Sequence, residues 1–299
     1  MQVQIKPYIL LMRPHHYIKN LLLFLPLLFS GRMTEWPLLR RTLPGFLAFC
    51  FISSVVYIYN DIMDVENDRK HSVKRTRPIA SGAVTPVGAG RLAAVLFVLC
   101  AACQIPAGMD ALFPGAFLLI YLLMNIAYSR YLKHVPIIDV AILAAGFLLR
   151  LGYGAALTGI NVSGWLFLTV LTMSFYMGLG KRRGELVRQK DTRGVLASYS
   201  QSFLDKSMGM CLTLTVAFYS LWAADGGAMA NAGALRAGVG GMLWTVPVVI
   251  VICLRYSMNL EGDSDGDPVE VVLKDKVLCA LALLLVAMIY ILLYVAPNL

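Results

Sequence analysis

The sequence is poor in charge. Only 14% of its 299 residues are Asp, Glu, Lys or Arg, where a soluble domain carries about 25%. With 59% hydrophobic residues and a mean hydropathy of +0.71, that deficit excludes a disordered chain and an ordinary water-soluble domain. Histidine is scarce as well. His15, His16, His71 and His134 stand in polar connections and form no H-E-x-x-H pattern, so a catalytic zinc is not expected. The cysteines (Cys50, Cys100, Cys103, Cys211, Cys253 and Cys279) all fall in or beside apolar runs. Cys100 and Cys103 spell a formal C-x-x-C, but in mid-helix with no further ligand nearby, so they read as packing thiols. Repeats and low-complexity tracts are absent, which leaves one helical membrane domain over 1–299.

Apolar stretches of the length a bilayer demands, roughly 17–25 residues, fall at about 17–31, 42–60, 91–109, 112–129, 137–157, 165–180, 208–224, 242–256 and 278–296. The expected fold is all-α: a polytopic membrane bundle of nine transmembrane helices. The first stretch is short and contains Pro26, yet has no small-x-small cleavage site before Gly31. It is read as a retained, kinked or tilted helix and not as a signal peptide.

Basic residues orient the bundle. Of the 26 Lys and Arg, only Arg32, Arg40, Arg41 and Arg236 fall on one side of the expected membrane, and Arg150 lies within a span; the rest crowd the other side. The positive-inside bias puts the N-terminus and the long polar loops in the cytoplasm of a protein integral to the cell membrane. All 17 acids except Glu35, Asp110 and Asp225 gather there too, which no topology rule requires. An active surface on that face is the expectation. A net charge of +9 in a soluble protein would suggest nucleic acid; here it suggests anionic headgroups, so membrane lipids are expected partners and nucleic acid is not. A homo-oligomer is compatible with the sequence.

The strongest chemical signal closes the second span: Asn60-Asp61-Ile62-Met63-Asp64-Val65-Glu66-Asn67-Asp68. On a continuing helix Asn60, Asp61, Asp64 and Asp68 project at about 0°, 100°, 40° and 80°, within one arc, while Glu66 at about 240° points away. Carboxylates so crowded repel one another unless a cation neutralises them, and hard oxygen donors suit Mg2+ with a bound phosphate. Lys74, Arg75 and Arg77 follow directly and can hold an anion's remaining charge. As the sixth span ends, Lys181, Arg182 and Glu185 share a helical face at about 0°, 100° and 40°, with Arg188 near −20°; such a cluster suits a phosphorylated, hydroxyl-bearing ligand. Lys19 precedes or opens the first span, Tyr128 and Lys133 close the fourth, and Asp139 opens the fifth. Arg150, a cation deep in an apolar segment, is expected to face a carboxylate or a phosphate. The acid-rich stretch from Glu261 to Asp267 lacks the twelfth-position glutamate of an EF-hand, Val272 standing there instead, and is read as a solvated loop.

N-D-x-x-D-x-x-x-D after the second span and K-R-x-R-P-I beyond it resemble the UbiA superfamily of intramembrane prenyltransferases. Within it the likeness is greatest to decaprenyl-phosphate phosphoribosyltransferases, through R-P-x-x-x-x-K-N (Arg13, Pro14, Lys19, Asn20), G-K-R-x-x-E-L (Gly180, Lys181, Arg182, Glu185, Leu186) and the late Leu254-Arg255-Tyr256. The second D-x-x-x-D usual in the superfamily is missing: its loop holds only isolated Asp191 and Asp205. This resemblance implies an enzyme, a membrane-embedded pentosyltransferase moving 5-phosphoribose from phosphoribosyl diphosphate to a polyprenyl phosphate. By the same resemblance Asp61, Asp64 and Asp68 are catalytic and, with Asn60, hold Mg2+ on the leaving diphosphate. Lys181, Arg182 and Glu185 position the ribose 5-phosphate, and Lys19, Tyr128, Lys133 and Arg150 serve the acceptor phosphate or the diphosphate. The alternatives are prenyl transfer to an aromatic or lipid acceptor on the same fold, and a transporter of a phosphorylated metabolite, which would need polar residues on both faces.

Overall fold

The structure, a computed structural model, describes residues 5–71, 73–106, 112–187, 194–225, 239–261 and 267–295. Asp110, Arg188, Lys190, Asp191, Arg193, Arg236 and the centre of the acid-rich stretch, 262–266, lie outside them. Among the described residues every regular element is helical. α1 (Ile5–Met12) leads into a 3₁₀ segment, Pro14–Phe24, and the short α2 (Leu25–Phe29). Then come α3 (Trp36–Met63), α4 (Val65–Lys70), α5 (Pro86–Ala102), α6 (Leu112–Arg130), α7 (Ile138–Thr158), α8 (Gly164–Val187) and α9 (Gln201–Ala224). The chain ends with α10 (Val239–Met242), α11 (Val246–Glu261), α12 (Pro268–Lys274) and α13 (Lys276–Tyr290), which runs into a π turn, Ile291–Val295.

Six described helices are long and apolar enough to cross a membrane: Trp36–Met63, Leu112–Arg130, Ile138–Thr158, Gln201–Ala224, Leu243–Glu261 and Lys276–Val295. The other three expected spans differ for physical reasons. The first is no single α-helix, because its 11-residue 3₁₀ stretch rises faster per residue and Pro26 then removes a donor at the start of α2. The third is 17 residues long and begins earlier than expected, where Thr85 caps it by accepting from the Gly88 amide at 3.1 Å. The sixth, α8, is 24 residues long but carries Lys181, Arg182, Arg183 and Glu185 in its last two turns.

Helices in lipid gain little from burying apolar surface against one another, so close packing and polar contacts decide which faces meet. Glycines mark the tightest approaches. A Cβ on Gly154 of α7 would collide with the Leu23 carbonyl of the 3₁₀ segment. Likewise Gly178 of α8 lies against Val140 of α7. α7 thereby sits centrally, touching α3, α6, α8 and the 3₁₀ segment. One core joins Phe49, Ile52 and Val56 of α3 to Tyr121 of α6 and Tyr153 of α7. A second joins Val140, Tyr176 and Leu179 to Tyr199, Leu204 and Tyr256. Leu119, Leu123, Leu283 and Val286 point outward, as a lipid-facing surface should. All six cysteines are free thiols and four of them are buried, Cys100 in the first of these cores and Cys211 in the second.

At its last turn α3 bends without stopping. Asp64 leaves helical geometry (φ −95°, ψ 6°), yet its amide still reaches the Asn60 carbonyl at 2.9 Å and the Asp68 amide reaches the Asp64 carbonyl at 2.8 Å. The acidic motif therefore keeps a helix-like path across the bend.

Candidate active site

A cavity of about 230 Å³ opens where α3 and α4, the end of α6, the start of the 3₁₀ segment, α7 and the end of α8 converge. Asn60, Asp61, Asp64 and Asp68 all line it. Glu66 does not: it is 73% exposed and pairs with Arg69 at 2.9 Å. The cavity has two poles.

At the acidic pole each carboxylate already meets a cation. Arg13 donates to Asp61 at 2.6 Å, aimed there by its left-handed backbone (φ 52°) and lying over the Tyr57 ring. Arg77 bridges Asp61 at 3.1 Å and Asp68 at 2.7 Å. Lys133 donates to Asp64 at 2.8 Å. Ser129 donates to the Asn60 amide oxygen. Burial raises the Asp68 carboxyl, opposed by Arg77. Among the described residues no three acidic or ligating side chains stand as a formed metal cluster. The donor set is nonetheless chemically suited to Mg2+, being carboxylate and amide oxygen on one cavity wall, with the pairing cations holding the charge balance.

The second pole is basic. Lys19, Lys181 and Arg150 line it, and so do His16 and Asp267, which sequence reading had left out. Asp267 accepts from Lys19 at 3.2 Å and from the Val269 amide at 2.9 Å. It is not part of a solvated loop. Burial alone would raise its carboxyl, but Lys19 and then Lys181 hold it well below the usual carboxylate range. Burial, then Lys19, pushes the His16 imidazole down to about 3, so it is neutral at physiological pH. Arg150 is 4% exposed and meets no carboxylate among the described residues. Its guanidinium donates instead to the Asn20 side chain at 2.7 Å, the Gly146 carbonyl at 2.7 Å and the Tyr121 hydroxyl at 3.2 Å. It also lies over the Phe49 ring at 4.8 Å. Neutral dipoles and aromatic faces make a low-charge socket that holds the cation without neutralising it.

Three expected ligands stand elsewhere. Arg75 is exposed and does not line the cavity, although Lys74 and Arg77 on either side do. Arg182 is fully buried behind the wall, donating to Asp139 at 2.5 Å, to Glu185 and to the Tyr128 hydroxyl at 3.0 Å. Glu185 is spent on that pair and lines no part of the cavity. Of the α8 motif only Lys181 faces inward. Tyr128 faces the cavity from α6.

The missed residues left faint signals. Asp267 precedes Pro268, a helix-start pattern that says nothing of what the cap faces. His16 stands in a polar connection and Tyr57 in an apolar helix, with no motif around either.

Similarity to known proteins agrees with this geometry. The model of the UbiA prenyltransferase family matches residues 22–268. The decaprenyl-phosphate phosphoribosyltransferase of Corynebacterium glutamicum is 34% identical over 294 residues, 96% of this chain and 86% of that protein. The protein of the same name from Mycobacterium tuberculosis is 33% identical, over 92% of this chain and 90% of its own length. In fold, the chain matches a UbiA homolog from Archaeoglobus fulgidus bound to GPP and Mg2+ with a TM-score of 0.70 at 17% identity, covering 96% and 99% of the two chains. A helical bundle with its polar cavity at the end of α3, matched over nearly its whole length, thus places this chain in the UbiA prenyltransferase family, as an integral-membrane transferase.

Proposed function

We propose that the protein transfers 5-phosphoribose from phosphoribosyl diphosphate to a polyprenyl phosphate, releasing diphosphate, with Mg2+ and on the cytoplasmic face. The observation that carries this reading is one cavity lined by two charged groups, the aspartates with their arginine and lysine partners and a basic group of Lys19, Lys181 and Arg150. Two anionic substrates have to meet in one place, and a cavity with cations in both groups accommodates both. The name shared by the most similar relatives supports the same donor and acceptor.

In the reaction a lipid phosphate oxygen attacks C1 of the ribose, and the C1–O bond to diphosphate breaks with its electron pair leaving on the diphosphate. The attacking oxygen is already anionic, so no general base is assigned. Asn60, Asp61, Asp64 and Asp68 would hold Mg2+, which when bound supplies positive charge to the diphosphate. Arg13, Arg77 and Lys133 are in reach of the same wall. They exchange their carboxylate partners for phosphate oxygens as the donor enters, keeping the pole near neutrality. Lys19 and Lys181 receive the second phosphate group, and Arg150, lacking a carboxylate partner, keeps its full charge for it. Charge-assisted contacts of this kind are the stronger class of hydrogen bond.

The test is to incubate purified protein with radiolabelled phosphoribosyl diphosphate, Mg2+ and a polyprenyl phosphate, and to follow label into the organic phase. Transfer is expected with this donor. No label transfer, together with consumption of an isoprenoid diphosphate, would replace this reading by prenyl transfer on the same fold.

A further inference from the structure

Behind the cavity a series of hydrogen bonds links Ile137 to Tyr128, with Asp139 accepting from both sides and Arg182 donating to both sides. The Ile137 amide donates to the Tyr199 hydroxyl at 2.6 Å. Tyr199 then has its own hydrogen to give, and Asp139 Oδ1 takes it at 2.6 Å. The other oxygen, Oδ2, accepts Arg182 Nε at 2.5 Å. Arg182 Nη2 goes on to the Tyr128 hydroxyl oxygen at 3.0 Å. Arg182 and Asp139 are both 0% exposed, and neither touches the cavity. Tyr128 does.

The direction of the last bond matters because a phenol has one hydrogen and a guanidinium has only donors. Arg182 can meet Tyr128 only at its oxygen, so the Tyr128 hydrogen is free to point elsewhere. Among the described residues nothing accepts it, and the ring stands on the cavity wall. Ile137 underlines how firmly the chain is built. A β-branched residue at φ 67° is a strained position, and it is kept where its amide starts the series.

We infer that Asp139, Arg182 and Tyr199 are positioning residues that lock the Tyr128 hydroxyl as a hydrogen-bond donor into the cavity, where it takes an oxygen of the phosphoanion bound there. This assigns the arginine of the α8 motif to orienting a neighbour and not to touching substrate. It rests on the phosphoryl-ligand reading proposed above.

A double-mutant cycle on the full-length protein in detergent tests it, with magnesium and inorganic diphosphate as probe. Tyr128→Phe should weaken diphosphate binding about tenfold, with thermal stability close to wild type. Arg182→Lys keeps a cation for Asp139 but loses the second branch. It should weaken binding by a similar factor, and the Tyr128→Phe/Arg182→Lys double variant should bind no worse than either single one. If Arg182→Lys does not fold, Tyr199→Phe replaces it in the same cycle, with a smaller loss expected alone and none on top of Tyr128→Phe. Two factors that multiply would overturn the inference, as would a silent Tyr128→Phe, since either shows that Arg182 does not act through that hydroxyl. If the unmutated protein binds no diphosphate, the proposed function and this inference fall together. If it binds normally and the cycle is additive, only the inference falls.

Discussion

The bend after α3 and the end of α8 both gather acids and bases within two helical turns, yet they are in opposite physical states. At the α3–α4 bend, Asp61, Asp64 and Asp68 present their carboxylates to a cavity, and the cations that pair with them come from other segments and are partly exposed. Those pairs can exchange for a substrate. At the α8 end, the fully buried Arg182 donates to Asp139, Glu185 and Tyr128, and Tyr199 in turn donates to Asp139. Nothing there can exchange without opening the bundle. Charge at a helix end is therefore not one signal: an open cluster binds, and a closed one holds neighbouring side chains in place. Lys181, next to Arg182 in sequence, belongs to the open class.

The sharpest way to break this contrast is at the acidic pole. Asp61→Ala, Asp64→Ala or Asp68→Ala should each lower turnover by about 10²–10³-fold or more, the loss typical of removing a preorganised electrostatic group from a reacting centre. Glu66→Ala, two residues from Asp64 but on the outward face, should stay within about twofold of wild type. Label transfer under saturating donor measures both. Equal losses at Glu66 would show that the cavity does not select among these carboxylates.

The closed cluster should fail differently. Arg182→Met takes the cation from the fully buried Asp139, and breaking a buried pair by removing one partner costs about 3–5 kcal/mol. The expected result is a lowered melting temperature in detergent before any kinetic effect is read. An Arg182→Met variant that melts like wild type would show that this buried pair does not hold the fold.

How much of this was legible in sequence follows from the same distinction. The acidic face could be read because helical periodicity fixes which residues share a face, and the bend at Asp64 hardly disturbs that path. The α8 face was read by the same geometry, and its helix does continue to Val187. Periodicity, however, states only what leaves one helix together. It does not state what stands opposite, and α7 places Asp139 there. Asp267 was misjudged for the mirror-image reason: a glycine- and aspartate-rich stretch looks solvated, but its last residue caps α12 and turns to Lys19. Arg150 was recognised as unusual by its depth, while its neutral socket depends on Asn20 and Tyr121, far away in sequence. The first span was expected to kink or tilt at Pro26, and the 3₁₀ stretch before it is what its apolar run did not reveal.

Lys181 sharpens the contrast at smaller amplitude. Lys181→Ala removes a single charge-assisted contact worth roughly 1.5–3 kcal/mol, about ten- to a hundredfold in affinity for a phosphoanion. Stability should change little, because the repulsion from Arg182 and Lys19 is offset by attraction to Glu185 and Asp267. Titration with phosphoribosyl diphosphate reads the affinity and melting reads the fold. Weak binding with an intact fold is the open-class outcome; a destabilised protein would move Lys181 into the closed class.

The smallest effect is expected in the loop after α4, where the two classes alternate residue by residue. Lys74 and Arg77 line the cavity, and Arg75 between them is exposed outside it. The loop turns through a short 3₁₀ segment, Lys74–Thr76, whose three residues per turn place side chains i and i+3 on one side and i+1 away from them. Arg77→Ala should therefore cost binding, since its guanidinium bridges Asp61 and Asp68. Arg75→Ala should leave donor affinity within about twofold, as a solvated surface charge does. Raising salt should not separate Arg75→Ala from wild type either. If instead Arg75→Ala loses as much as Arg77→Ala, the loop closes over bound substrate in a register that brings Arg75 inward, and sorting residues by which of them line the cavity does not extend to this loop.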